Sequence, residues 1–282
     1  MAYDVSGRAL VLGGGGVAGV AWEAGMIAGL RDAGVDLTAA DLIVGTSAGS
    51  IVGSLIGHGV DMAETIERLP AADDAGAPAF EVDMDAVLNA FALIFDPDLD
   101  PQQARVQVGK LALDAQVDGA RERLADVGRR LPSDEWPARP LLVTAVDTAD
   151  GSFVAWDRDS GVPLPKAVMA SCCVPCVFPP VEINGRRYMD GGTRSITNAD
   201  LARGASTVVV LEPMGHLSPR TMLERELREL GDARVVGVGA DEAAIEVFGV
   251  NVLDQSLWKP AFQAGLTQAA TAAAEVRATW NG

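Results

Sequence analysis

Short runs of continuous apolar residues, separated by glycine-rich turns and by stretches with helical spacing, set the pattern of this chain. Arg8-Ala9-Leu10-Val11-Leu12 predicts a buried strand that runs directly into Gly13-Gly14-Gly15-Gly16-Val17-Ala18-Gly19. A helix follows from Val20 to Ala33, closed by Gly34, and Leu42-Ile43-Val44 predicts a second strand. The chain then turns through Gly45-Thr46-Ser47-Ala48-Gly49 into the helical segment Ser50 to Ile56. This is a βαβ unit, and its right-handed crossover places both outgoing loops on one edge of a parallel sheet. The glycine run and Ser47 are therefore expected to be neighbours.

Between about Pro70 and Pro140 β-branched residues become scarce, which predicts a mainly helical connection. Its apolar positions Val87, Leu88, Phe91, Leu93, Ile94 and Phe95 fit a core-facing helix or a lid over about 80–110. Strands resume at Leu141 to Val146 and at Phe153 to Trp156. A tight hairpin follows, Val181-Glu182-Ile183 turning at Asn184-Gly185 into Arg187-Tyr188-Met189. Thr207 to Leu211 is a continuous apolar run of the buried parallel type. The part from about 217 to 282 reads as helical, packing back on the sheet. The expectation is one α/β domain over 1–282, with a central, mostly parallel sheet.

Composition narrows the function. Lysine plus arginine number 22 against 39 acidic residues, a net charge of −17, which argues against nucleic acid as the partner and leaves at most transient contact with a membrane surface. Met1 to Val5 lacks the basic start of a leader, and the expected location is the cytoplasm. Cys172, Cys173 and Cys176 sit in an apolar stretch and read as small core residues rather than metal ligands. The run Asp96 to Asp100 falls short of a calcium loop because Pro101 and Gln107 stand where Gly and Glu are needed. No metal or cofactor is called for.

The candidate chemistry lies in the G-x-S-x-G turn. A serine on a strand-to-helix elbow is exposed where helix N–H groups favour negative charge, and glycines beside it can turn further N–H groups toward an oxyanion. The same glycines also permit a second reading: Gly14, Gly16 and Gly19 match a dinucleotide fingerprint, with Asp36 near the ribose position. For a serine nucleophile the base is open. His58 is roughly 16 Å further along the same helix at 1.5 Å per residue. His216 completes the chain order Ser47, Asp190, His216 of a hydrolase triad, and Asp190, at a strand end before Gly191 and Gly192, could instead act alone.

Gly14-Gly15-Gly16-Val17-Ala18-Gly19, Gly45-Thr46-Ser47-Ala48-Gly49 and Asp190-Gly191-Gly192 together resemble the bacterial branch of the patatin-like phospholipase family. The stretches Ala170-Ser171 to Val181 and Arg139-Pro140-Leu141 extend the resemblance, which covers roughly 8–211. It implies a three-layer α/β/α fold and hydrolysis of lipid or lipid-like acyl esters, with Ser47 as nucleophile and Asp190 as proton acceptor. Gly14, Gly15 and Gly16 would form the oxyanion hole, with Gly19, Gly45, Gly49, Gly191 and Gly192 supporting the motifs. The chain departs from the family at Ala18, where Arg or Lys is frequent, and at Asp200, where Pro is frequent.

Overall fold

The computed structural model describes residues 6–67, 82–117 and 119–282. The reading of Met1 to Val5 and the start of the 80–110 stretch lie outside them. The first half contains β1 (Arg8–Leu12), α1 (Gly16–Asp32), β2 (Leu42–Gly45), α2 (Ala48–Gly57) and α3 (Met62–Glu67). The helical connection contributes α4 (Met84–Ile94), α5 (Pro101–Asp114) and α6 (Ala120–Arg129). After it come β3 (Leu141–Asp147), β4 (Phe153–Trp156), α7 (Leu164–Ser171), β5 (Val181–Ile183) and β6 (Arg186–Asp190). The chain ends with β7 (Thr207–Glu212), α8 (Arg220–Arg228), β8 (Arg234–Gly239), α9 (Glu242–Phe248) and α10 (Trp258–Trp280).

Among the described residues the strands form one eight-stranded sheet in the order β5-β6-β3-β2-β1-β7-β8, with β4 attached to β3. β3, β2, β1, β7 and β8 run parallel, while β4, β5 and β6 supply the antiparallel pairings. The expected α/β class with a mostly parallel sheet is the one adopted.

Alternation along the strands divides the core into layers. Leu10 and Leu12 of β1 join a large cluster with α1, α2, α7 and α10, whereas Ala9 and Val11 face a smaller one closed by Leu223 of α8. A third cluster packs Ala90 and Val108 of α4 and α5 on Val146 and Met189. Helices thus cover both faces, as the three-layer expectation requires. Among the described residues no helix is long and apolar enough to cross a membrane.

Two boundaries differ from the sequence pattern. α1 starts at Gly16, inside the glycine run, because a first turn needs no intrahelical donors and the poor helix propensity of glycine is offset by packing. The segment after 217 also contains a strand, β8, paired in parallel with β7 over six positions.

Candidate active site

The pairing register creates a seam in the sheet. Val143 pairs with Gly45 and Trp156, and Ala145 pairs with Asp190 and Val154. Because β4 occupies one edge of β3 from Val143 to Val146, overlapping both pairings, β2 and β6 must share the other edge, end to end. Asp190 takes the position opposite Ala145 that Ser47 would have held had β2 continued. The chain turns away at Thr46, and Ser47 and Asp190 meet where the two strand ends face each other.

Ser47 takes φ 51 and ψ −116, a sparsely populated conformation that aims its side chain out of the turn. Neighbours hold it there. Its N–H donates to Ser171 Oγ at 2.9 Å, and its carbonyl accepts from Cys172 Sγ at 3.3 Å and from Ser50 Oγ at 2.6 Å. The helix after it starts so close to β1 that a Cβ on Gly49 would lie 2.1 Å from the Leu12 carbonyl oxygen. Ser171 stood in the sequence only as part of the stretch that extends the family resemblance, with no role attached. Its role depends on a contact across 124 residues.

Asp190 is almost fully buried. Its N–H donates to the Cys173 carbonyl at 2.9 Å, and its Oδ1 accepts the Gly192 N–H at 2.7 Å. Oδ2 has no partner of hydrogen-bonding geometry. Burial therefore pushes the carboxyl up to about 7, opposed by the Gly192 N–H and by the nearby Ser47 hydroxyl. Behind the seam, Thr144 Oγ1 donates to Thr46 Oγ1 at 3.0 Å, and Asn198 Nδ2 donates to the same oxygen at 3.0 Å. Gly191 packs directly on Thr144. These contacts fix the elbow to the loop after Asp190.

The glycine loop adjoins the elbow as expected. The Gly49 N–H donates to the Gly13 carbonyl at 3.0 Å, and a Cβ on Gly14 would stand 3.5 Å from Ser47 Cβ. One expectation needs correction: the Gly14 N–H is donated to the Ile196 carbonyl at 2.9 Å and is therefore already used. The Gly15 and Gly16 N–H groups have no acceptor among the described hydrogen bonds, nor does that of Ala48 at the start of α2. Ala48 follows the serine directly, the position from which an elbow characteristically supplies an oxyanion donor.

The competing readings meet specific geometry. His58 caps α2, its Nδ1 2.8 Å from the Ser54 carbonyl oxygen. His216 lies exposed in a short turn, interacting with the Pro213 backbone, and partial desolvation holds its pKa below the usual histidine value. Asp36 caps its own turn by accepting from Thr38, and Val252 and Leu253 fill the space over Gly16 that a pyrophosphate would need. Cys172 and Cys173 are buried thiols whose pKa values burial raises. Asp100 of the calcium-like run caps α5. In the 80–110 stretch the α4 side chains Val87, Phe91, Leu93 and Ile94 are only half-buried, and Leu88 is 59% exposed.

The patatin-like phospholipase family model matches residues 10–203. Curated proteins of Mycobacterium bovis and of two Mycobacterium tuberculosis strains, each described as an uncharacterized NTE family protein, are 30% identical over 185 residues. That match covers 65% of this chain and 42% of each relative, so the chain spans about two fifths of their length. Among solved structures, VipD from Legionella pneumophila overlaps 96% of this chain and 67% of its own at TM-score 0.44 and 13% identity. The type III effector ExoU overlaps 94% and 53% at TM-score 0.33 and 16% identity. Both overlaps are too loose to carry an argument about chemistry.

Proposed function

The chain belongs to the patatin-like phospholipase family, and we propose that it is a serine acyl hydrolase cleaving lipid or lipid-like carboxylic esters through Ser47 and Asp190. The observation that carries this reading is the seam, which faces a strained, hydroxyl-bearing elbow with a buried carboxyl whose Oδ2 is unpartnered.

Ser47 Oγ attacks the acyl carbonyl carbon while Asp190 accepts its proton. The Gly15, Gly16 and Ala48 N–H groups receive the developing oxyanion, each donor lowering the barrier by roughly 3–4 kcal/mol on typical values. Collapse expels the alcohol, which takes the proton from Asp190, and leaves Ser47 acylated. Asp190 then removes a proton from water, water attacks the acyl-enzyme, and the acid departs as Ser47 regains its hydrogen. A carboxyl near 7 is a better base than an ordinary aspartate and remains largely ionised slightly above neutrality. This supports a dyad over a triad through His216. Gly14 serves to hold the loop on Ile196 rather than as a donor. No metal or cofactor enters these steps, and 1–282 acts as one unit with at most transient contact with a lipid surface.

The decisive experiment measures hydrolysis of p-nitrophenyl butyrate by wild type, Ser47→Ala, Asp190→Asn and His216→Ala, with fluorophosphonate labelling of the nucleophile. Loss of turnover in the first two variants and retention in the third is expected. Full activity in either Ser47→Ala or Asp190→Asn overturns the dyad.

A further inference from the structure

A cleft of about 700 Å³ lies between the α4–α5 connection and α8. Neither Ser47 nor Asp190 lines it, and it meets the segment between Asp190 and β7 at Thr193, Arg194, Asp200 and Arg203. Beside the carboxylates Asp96, Asp200, Glu226 and Glu229, four arginines line this cleft, Arg105, Arg194, Arg203 and Arg225. Two of them are neutralised. Arg194 forms a two-pronged pair with Asp200 at 2.9 and 2.6 Å and lies over the Phe153 ring, and Arg203 pairs with Glu229.

The other two are not. Arg105 donates Nε to the Gly151 carbonyl at 2.7 Å, but among the described residues neither Arg105 nor Arg225 has a carboxylate within ion-pair distance. Glu226 also borders the cleft, yet its carboxylate is turned to Thr197 Oγ1 and the Ala199 N–H. Arg105 is half-buried, and burial together with the Arg194 charge lowers its pKa, opposed to a lesser degree by the Asp100 carboxylate. A partly desolvated guanidinium without a carboxylate partner favours an anion, which its planar donors suit. Half-buried Phe95, Leu99 and Met222 give the same cleft an apolar wall.

We propose that this cleft is a second ligand site that takes an anionic amphiphile, its carboxylate or phosphate head held by Arg105 and Arg225 and its alkyl chain laid against Phe95, Leu99 and Met222. The site stands independently of the hydrolase reading.

Calorimetric titration of the full chain carrying Ser47→Ala, which removes turnover, tests it with decanoate, decyl phosphate, decyl maltoside and inorganic phosphate, each below any micelle concentration. Saturable one-to-one binding of decanoate or decyl phosphate is expected, at least tenfold tighter than of the other two. Arg105→Gln and Arg225→Gln, each added separately, should weaken it at least tenfold. Affinity unchanged in both arginine variants, or equal for decyl maltoside, overturns the proposal, and equal affinity for inorganic phosphate overturns the amphiphile. With Ser47 intact, Arg105→Gln should hydrolyse p-nitrophenyl butyrate at the wild-type rate. Joint loss of binding and hydrolysis in folded protein would put the ligand in the hydrolytic site and overturn a separate one.

Discussion

Ser171 Oγ accepts the main-chain N–H of Ser47 at 2.9 Å. This bond takes up the elbow residue's own donor and anchors α7 to the turn, so in the proposed reaction an oxyanion would have to be met by neighbouring N–H groups. It also helps maintain the uncommon φ of 51 at Ser47.

That conformation costs about 1–3 kcal/mol for a residue with a Cβ, and glycine escapes it at an entropic cost of about 0.5–1 kcal/mol. Ser47→Gly should therefore be about 1 kcal/mol more stable than Ser47→Ala, the middle of the difference between those two costs, although both lack the hydroxyl. Urea unfolding of the two variants checks this. Equal midpoints would mean the elbow is not strained.

If Asp190 is the proton acceptor, as proposed, the pH profile of kcat/KM should rise with a midpoint near 7, because acceptance requires the ionised carboxyl and burial pushes it up to about 7. A midpoint near 4 would show a solvated carboxyl. A profile on p-nitrophenyl butyrate from pH 4.5 to 9 distinguishes the two.

Asp190 also affects stability, with a sign that follows from its raised pKa. The folded state holds the proton more tightly than the unfolded chain, so its contribution is fully present below about 4 and is lost as pH rises through about 7. Asp190→Asn should be inactive yet more stable than wild type at pH 8, by up to about 4 kcal/mol, with little gain at pH 4. Thermal unfolding at both pH values reads the difference.

Glu23 of α1 is fully buried, and among the described residues neither carboxyl oxygen has a partner of full hydrogen-bonding geometry, the nearby Gly13 N–H being donated to the Leu211 carbonyl. Burial raises its pKa well above the carboxylate range, so it too destabilises the fold as pH rises. Glu23→Gln should flatten the decline of unfolding free energy between pH 5 and 9, by about 1.4 kcal/mol for each pH unit over which Glu23 titrates. Denaturant titrations across that range supply the measurement.

Gly49→Ala should be severely destabilised, by about 3 kcal/mol or more. The new methyl meets the Leu12 carbonyl at 2.1 Å, and neither the strand nor the helix start can move without breaking the seam. Circular dichroism and the yield of folded protein report it. A stable, active variant would show that α2 can shift along β1.

Much of this architecture was legible because local signals agreed with the long-range result. The apolar runs of β1, β2 and β7, and the Asn184-Gly185 turn with both residues at positive φ, each specify their element within a few residues. β8 escaped notice because Arg234-Val235-Val236-Gly237-Val238-Gly239 is an edge strand with alternating exposure, interrupted by glycine. The site was legible as residue types but not as wiring. Nothing near Gly14 announces that Ile196 takes its N–H, and nothing near Ser171 announces that it receives the N–H of Ser47.

The seam also dictates when the site can exist during folding. Ser47 and Asp190 are 143 positions apart in sequence, and the β5–β6 hairpin can form locally long before it docks. Until it does, the upper edge of β3 has no partner and the elbow has no carboxyl to face. A chain ending before Val181 would leave that stretch of β3 unpaired and, on the proposed dyad, lack its proton acceptor, so reactivity would wait for the β5–β6 hairpin to dock.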